Sequence, residues 1–592
     1  MNRKKLSRAI VFMLLVTLVV SSGISQRPDK ISPRLQKDLA RKSHGEKLTA
    51  WVYFRDKGPG ISQRMAEAGE TLHVKSLSRR LRHGFEGLVD EYDIPVYQPY
   101  VSILERHVEK VRHTSRWLNA ASVEATSQAL QAIAKFRFVE KVDKVSIYIS
   151  RDPVVEPEAE TESFSETLPA GAFVLDYGSS LAQVAQLNVP PLHDMGYAGH
   201  GVLICMLDGG FNNLGHEALD HLDIVATWDF VNGDLIVSDQ TGQMGSGSHG
   251  TKTLGIIAGY QPGKLIGPAF GASFLLGKTE NSEWERHIEE DHWVAGAEWA
   301  DTLGADIISS SLGYRDRFSD GEMDYSWQDM DGETTVVAKG ANIAASRGIL
   351  IVNSAGNEGL SLSGRNTLVS PSDCDDVLAA GAVDSQGRRA HFSSIGPTAD
   401  GRIKPDLMAM GESVYTAGPN GPKEYESGDG TSFACPLVAG VAALLLEANP
   451  TWTNQDIKTA MKATASRSDS PDNESGWGIV DAQKAAFYTL KSIHAPRLFT
   501  IVRMANNYGF FTQYMDRLGW MPDPRNNGQV ISYRVYAKQR DSENSSFVFL
   551  TEVDGQTLSF LRRGLLEEED FLYKITSVSA SGEESEPNFT LR

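Results

Sequence analysis

Residues 430–450 read GTSFACPLVAGVAALLLEANP. Residues 437–446 are nearly all apolar, which predicts a helix buried on every side rather than a helix with one wet face. Pro436 lacks an N–H and is tolerable only in a first helical turn, so the helix start is expected just before it. A loop would therefore deliver Ser432 to the start of a buried helix. A serine in that position is ordinarily an N-cap. A chemical role requires a base, an orienting carboxylate and an oxyanion donor elsewhere in the chain.

Those groups occur upstream, in order. Residues 201–211, GVLICMLDGGF, contain a short apolar run bounded by glycines, which predicts a central parallel strand ending at Asp208. The carboxyl ends of such strands are where open α/β sheets carry their sites. Residues 248–259, SHGTKTLGIIAG, put His249 at the start of a small-residue helix. Residues 348–359, GILIVNSAGNEG, predict a second buried strand over 349–352, followed by a loop carrying Asn357. A hydroxyl needs a base to take its proton, the base needs an acid to fix its tautomer, and a tetrahedral oxyanion needs donors such as a side-chain amide. Ser432 is followed by Phe433-Ala434 and not by x-Gly, which argues against an esterase elbow.

In these segments the chain resembles the subtilisin-like serine proteases, whose triad runs Asp, His, Ser along the sequence. The resemblance spans roughly residues 170–490. It includes ADIISSSLGY (305–314), VLAAGAVDSQGRRAHFSSIGP (377–397), KPDLMAMG (404–411) and GWGIVDAQKA (476–485). It implies a doubly wound, mostly parallel α/β core and an endopeptidase acting through an acyl-enzyme. Asp208, His249 and Ser432 would be the triad and Asn357 the oxyanion donor, with the Ser432 N–H as a second donor. Ser311, Leu312, Gly313 and Ser354, Ala355, Gly356 would flank the substrate as extended strands. The substrates implied are proteins or peptides. The chemistry requires no cofactor; structural calcium is common in the family, but no known site maps onto this chain. Asp329, Asp331 and Glu333 fall short of a calcium-loop spacing and read as a solvated turn.

Four positions stand out against the family pattern. Lys252 stands where a second histidine is common, Met410 where proline is usual, and Cys205 and Cys435 lie near the site as small apolar filling. None removes a required group. Among the other histidines, His216 lies in an Asn/Gly-rich loop and reads as a surface or substrate-side residue.

The remaining chain divides by composition. Arg3, Lys4, Lys5 and Arg8 precede AIVFMLLVTLVV, which predicts a signal peptide over 1–25 and an exported protein with no membrane span after cleavage. Residues 26–150 form a mildly basic unit, with strands expected at 49–54 and 145–149 and a helix at 127–136. Its order resembles an inhibitory propeptide of the same family, so the chain's own propeptide is an expected partner. Residues 151–170 are acidic, aperiodic and a natural processing region. The catalytic unit is expected over 171–490. Residues 495–592 alternate apolar and polar, with Tyr533, Val535, Tyr573 and Ile575 expected inward, and resemble a fibronectin type III sandwich. A net charge of −19 disfavours nucleic acid as a partner, and three cysteines allow at most one bridge. Asn544 and Asn588 lie in N-x-[ST] sequons. The competing reading is a catalytically inactive shell that binds or adheres through the C-terminal sandwich.

Overall fold

The computed structural model describes residues 30–41, 47–85, 87–145, 173–283, 285–315, 318, 324–359, 366–507, 512–540 and 546–591. The expected signal peptide, the acidic segment 151–170 and Asn544 lie outside the described residues, as do positions 146–149 of the expected strand.

Seven strands form the central sheet: β1 (Leu203–Asp208), β2 (Asp223–Asp229), β3 (Ser273–Lys278), β4 (Ile307–Ser310), β5 (Leu350–Ser354), β6 (Val377–Val383) and β7 (Leu407–Met410). Their order is β7-β6-β5-β4-β1-β3-β2, and every pairing is parallel. Helices covering both faces explain why β1, β4, β5, β6 and β7 are buried along their whole length. The chain leaves β1 for β2 and β3 on one side, then crosses to β4 on the other. The carboxyl end of β1 is thus the topological switch point, and Asp208 is its last residue. Four helices matter for the site: α1 (His249–Ala258), α2 (Ile288–Leu303), α3 (Val336–Ser346) and α4 (Thr431–Ala448).

Helix α4 is buried from Thr431 to Leu446, as its composition requires. Two expectations about its start are corrected. Its N-cap is Gly430, at φ 149°, with no side-chain cap bond, so Ser432 lies inside the first turn and is not the cap. Pro436 sits in the helix interior rather than the first turn. A regular helix would use the residue-436 N–H to satisfy the Ser432 carbonyl, and proline has none. The Ser311 hydroxyl supplies the missing bond, donating to Ser432 O at 2.7 Å. The proline is tolerated because a neighbouring strand end takes over its duty.

An N-terminal unit carries a four-stranded antiparallel sheet, ordered Lys110–Ser115, Ala120–Thr126, Lys47–Phe54, Val139–Val145. The last of these, Val139–Val145, reaches the first residue of the strand expected at 145–149. Leu48, Ala50, Val52 and Phe54 alternate into this unit's own core. The opposite face lies on α2, where Trp51 Nε1 and the Ser122 hydroxyl each donate to Asp291 at 2.6 Å. The helix expected at 127–136 is Ser127–Ile133.

The C-terminal unit packs a three-stranded sheet (Arg497–Asn507, Thr512–Met521, Ser559–Leu565) against a four-stranded one (Val548–Asp554, Val530–Gln539, Phe571–Ser579, Asn588–Leu591). All pairs are antiparallel. Tyr533, Val535, Tyr573 and Ile575 point into its core beside Trp520, as the alternation implied.

Candidate active site

Asp208 ends β1, and its side chain is 1% exposed. Its carboxylate is held by three donors. Oδ1 takes the Gly209 N–H at 2.7 Å and His249 Nδ1 at 2.7 Å; Oδ2 takes the Thr253 hydroxyl at 2.9 Å. Thr253 lies one helical turn beyond His249 on α1, so residues i and i+4 of one helix face the same acid. This arrangement fixes the ring. With Nδ1 committed to Asp208, Nε2 is the nitrogen left for proton transfer. The imidazole keeps 30% of its side chain exposed. Its ring lies nearly parallel to that of Phe433, the residue after Ser432, with 6.2 Å between centroids.

Ser432 is 8% exposed, and its hydroxyl donates to Ser311 O at 3.3 Å. Asn357 sits on the exposed loop after β5. Its Oδ1 accepts both the N–H and the hydroxyl of Thr431, at 3.0 and 2.9 Å. That double acceptance fixes the amide's orientation and turns its Nδ2 donor away from Thr431. Thr431 in turn takes the Gly356 N–H at 3.2 Å. Acid, base, hydroxyl and amide therefore converge from the ends of β1 and β5 and the starts of α1 and α4.

Two signature models match the chain: the Subtilase family over residues 199–478, and the Peptidase S8 propeptide domain, Bacteroidota, over residues 49–160. Subtilisin NAT of Bacillus subtilis subsp. natto and subtilisin E of Bacillus subtilis (strain 168) are each 30% identical over 383 residues, 64% of this chain and 83% of theirs. The subtilisin of Bacillus pumilus is 32% identical over 309 residues, 51% of this chain and 97% of its own. The chain belongs to the subtilase family. It is a serine peptidase acting on protein substrates, with a propeptide domain ahead of the catalytic core.

The subtilase's expected substrate-flanking segments differ from one another. After β4, the Gly313 N–H and C=O take no backbone partner among the described residues. Asn353 Nδ2 and the Ser354 hydroxyl hold the Leu312 carbonyl at 2.8 and 3.3 Å, which keeps this stretch extended. Across from it, Ala355 N–H donates to Ala380 O, Ala355 O accepts from Val369 N–H, and Gly356 O accepts from Ser394 N–H. The 354–356 stretch has its main chain already committed and forms a wall rather than an open edge.

Several sequence-level expectations find their places here. Lys252 points to Glu426, 2.8 Å away. All three cysteines are free and buried; Cys435 donates to Ser310 O and Val352 O at 3.4 Å, and burial pushes its thiol up to about 12. His216 is buried, not at the surface: Nε2 donates to Glu424 O at 2.7 Å and Nδ1 accepts the Ala218 N–H, so it pins a loop. Asp331 turns back on the N–H groups of Glu333 and Thr334, both at 2.8 Å. The Asn588 amide donates to Pro496 O at 3.0 Å. Sequence patterns alone do not single out Thr253 and Thr431, although HGTKT and GTS place each at helical spacing or adjacency to a triad candidate. Glu280 is equally inconspicuous: it follows β3 as one carboxylate among many.

Proposed function

We propose that Asp208, His249 and Ser432 are the catalytic triad of a secreted endopeptidase made as an autoprocessed zymogen. The observation that carries this is the Asp208–His249 bond at 2.7 Å, with the His249 ring stacked on Phe433, the neighbour of Ser432 in sequence, and with Nε2 left to act as base. His249 takes the Ser432 proton as Oγ attacks the scissile carbonyl, then returns it to the leaving amine. Asp208 stays ionised and stabilises the imidazolium. Asn357 Nδ2 and the Ser432 N–H, at the positive end of α4, receive the oxyanion. The substrate main chain pairs with the open Gly313 edge, and 354–356 forms the facing wall. No step calls for a cofactor.

The N-terminal signature at 1–25 supports export. The 26–150 unit docks on α2 and serves as the inhibitory propeptide, released by a cut within 151–170. The catalytic unit spans 171–490. The antiparallel 3+4 sandwich at 495–592 supports a fibronectin type III-like accessory domain.

Labelling with a fluorophosphonate tests the reading. Processed wild type should label, and Ser432→Ala should abolish labelling, accumulate the full-length precursor and lower kcat by about 10⁶, the loss seen on removing the triad serine of subtilisin itself. An unlabelled processed wild type, or a mature N-terminus at Arg27, would refute it.

A further inference from the structure

Glu280 lies two residues past Lys278, the β3 residue in register with Asp208, so both acids stand at the same edge of the sheet on neighbouring strands. A Cβ placed on Gly209 would lie 3.9 Å from the Glu280 Cβ. The side chain is half-buried. Its two oxygens are used differently. Oε1 takes the Tyr314 hydroxyl at 2.6 Å and the Thr279 hydroxyl at 3.1 Å. Oε2 accepts no hydrogen bond from the described residues, and it is not sealed from solvent. Tyr314 is the residue directly after the 311–313 edge, and its hydroxyl also reaches Glu289 O at 3.4 Å. One carboxylate oxygen is thus clamped by the segment that carries the substrate edge, while the other is left without a donor.

We propose that Glu280 is a specificity-determining residue that selects protein substrates carrying a lysine or arginine side chain near the scissile bond, with Oε2 as the acceptor for that cation. This rests on the reading of 311–313 as the substrate edge. A structural role, in which Glu280 only anchors Tyr314, would use Oε1 and have no need of an open second oxygen. Recognition of a cation uses it. An apolar or acidic side chain in the same place would leave the carboxylate desolvated beside Asp208, without a counter-ion. The charge is also conditional. Burial raises the carboxyl to about 7 against the Tyr314 and Thr279 donors, with Asp208 pushing the same way and His249 against it. Glu289, buried nearby, is itself raised well above its usual value by burial and by Glu280, so it holds its proton and leaves Glu280 as the acceptor. Only the ionised form attracts a cation, so the preference grows as pH rises through about 7 and fades below it.

The test is a positional peptide library cut by the processed full-length enzyme. At one position near the scissile bond, lysine or arginine should raise kcat/KM about tenfold or more over norleucine at pH 8. In wild type this ratio should fall on going to pH 6; any pH effect on the shared chemical step acts on both peptides and cancels. Glu280→Gln keeps the acceptor for Tyr314 and removes the charge, and should bring the ratio to within about twofold of unity. A basic preference that survives in Glu280→Gln, a ratio indifferent to pH in wild type, or no basic preference at any position overturns the proposal. If fluorophosphonate labels Ser432 and norleucine peptides are cut without any basic preference, only this proposal fails. If the processed enzyme neither labels nor cuts, the catalytic reading fails with it.

Discussion

Two antiparallel units flank the catalytic core, and they are fastened to it by different chemistry. The propeptide side uses charges removed from water. Arg79, Arg80 and Asp301 have side chains with 0% exposure, and Asp301 receives Arg79, Arg80 and Arg116 together. Asp93, within the propeptide, joins Arg80 to Arg347 of the core at 2.7 and 2.9 Å. The C-terminal sandwich uses pairs at a wet rim. Arg525 meets Asp456 at 2.9 Å with 25% and 14% of the side chains exposed, Arg497 meets Asp376, and the Thr590 hydroxyl caps Gly401 O at 2.6 Å. Burying ions is costly, so the first arrangement adds little net strength over an apolar contact, but it punishes any mismatch. The propeptide contact therefore discriminates between correct and incorrect docking, and the sandwich contact tolerates change.

The largest expected effect comes from breaking the buried cluster on one side. Asp301→Ala takes the shared carboxylate from three guanidinium groups, two of them fully buried, and should destabilise the docked chain by about 3–5 kcal/mol. Denaturant unfolding of the full-length Ser432→Ala protein, which stays unprocessed, reads this directly. A loss under about 1 kcal/mol would mean the ions are better solvated than their geometry implies, and the contrast with the sandwich would disappear.

Legibility in the sequence depends on distance along the chain. Asp208, His249, Asn357 and Ser432 each lie in a segment whose local pattern ends a strand or begins a helix, so their order alone points to the site and to a parallel core. The alternation in 531–538 likewise places Tyr533 and Val535 inward from local pattern alone. Nothing in the local pattern singles out Asp301 and Asp291, because their partners Arg79 and Trp51 lie 222 and 240 residues away. The same holds for Pro436, whose place inside α4 depends on a hydroxyl from Ser311, and for His216, buried by a bond to Glu424. Local pattern carries secondary structure and motif; it carries no information about which distant group will satisfy a buried polar atom.

A smaller effect would sharpen the comparison through pH. Under the propeptide, burial raises Asp291 to about 6, despite Arg112 and the Ser122 and Trp51 donors. Once uncovered, it should return to an ordinary carboxylate value near 4. The covered form thus holds the proton more tightly, so this residue weakens docking as pH rises from about 4 to about 6, by roughly a hundredfold in total. His113 works the other way. Burial lowers it to about 4, so docking weakens as pH falls from its ordinary value of about 6.5. His292, 5.0 Å away ring to ring and also lowered by burial, acts in the same sense. Two histidines pull against one aspartate, so Asp291 offsets only part of their slope between pH 4 and 6. Asp291→Asn removes that offset, and propeptide release, followed as the onset of fluorophosphonate labelling after processing, should slow more steeply with rising pH through that window than in wild type. A profile unchanged from wild type would show that Asp291 does not titrate there.

The smallest effect belongs to the sandwich. Asp456 accepts from Arg525, but Arg525 also holds Asp523 at 2.9 Å within its own domain, so removing Asp456 leaves the guanidinium both partnered and hydrated. Asp456 has a second duty, since its other oxygen takes the Thr453 N–H and hydroxyl at the start of the Asn454–Thr464 helix. Asp456→Ala would confuse the two. Arg525→Met spares the Asp456 cap: it removes the interdomain arm together with the Asp523 pair and keeps much of the apolar stem. It should cost about 0–1 kcal/mol and leave peptide hydrolysis as it is in wild type. The measurement is the same denaturant midpoint used for Asp301→Ala. A loss approaching that of the buried cluster would mean the sandwich is locked to the core as firmly as the propeptide, and the division between a discriminating contact and a tolerant one would have to be abandoned.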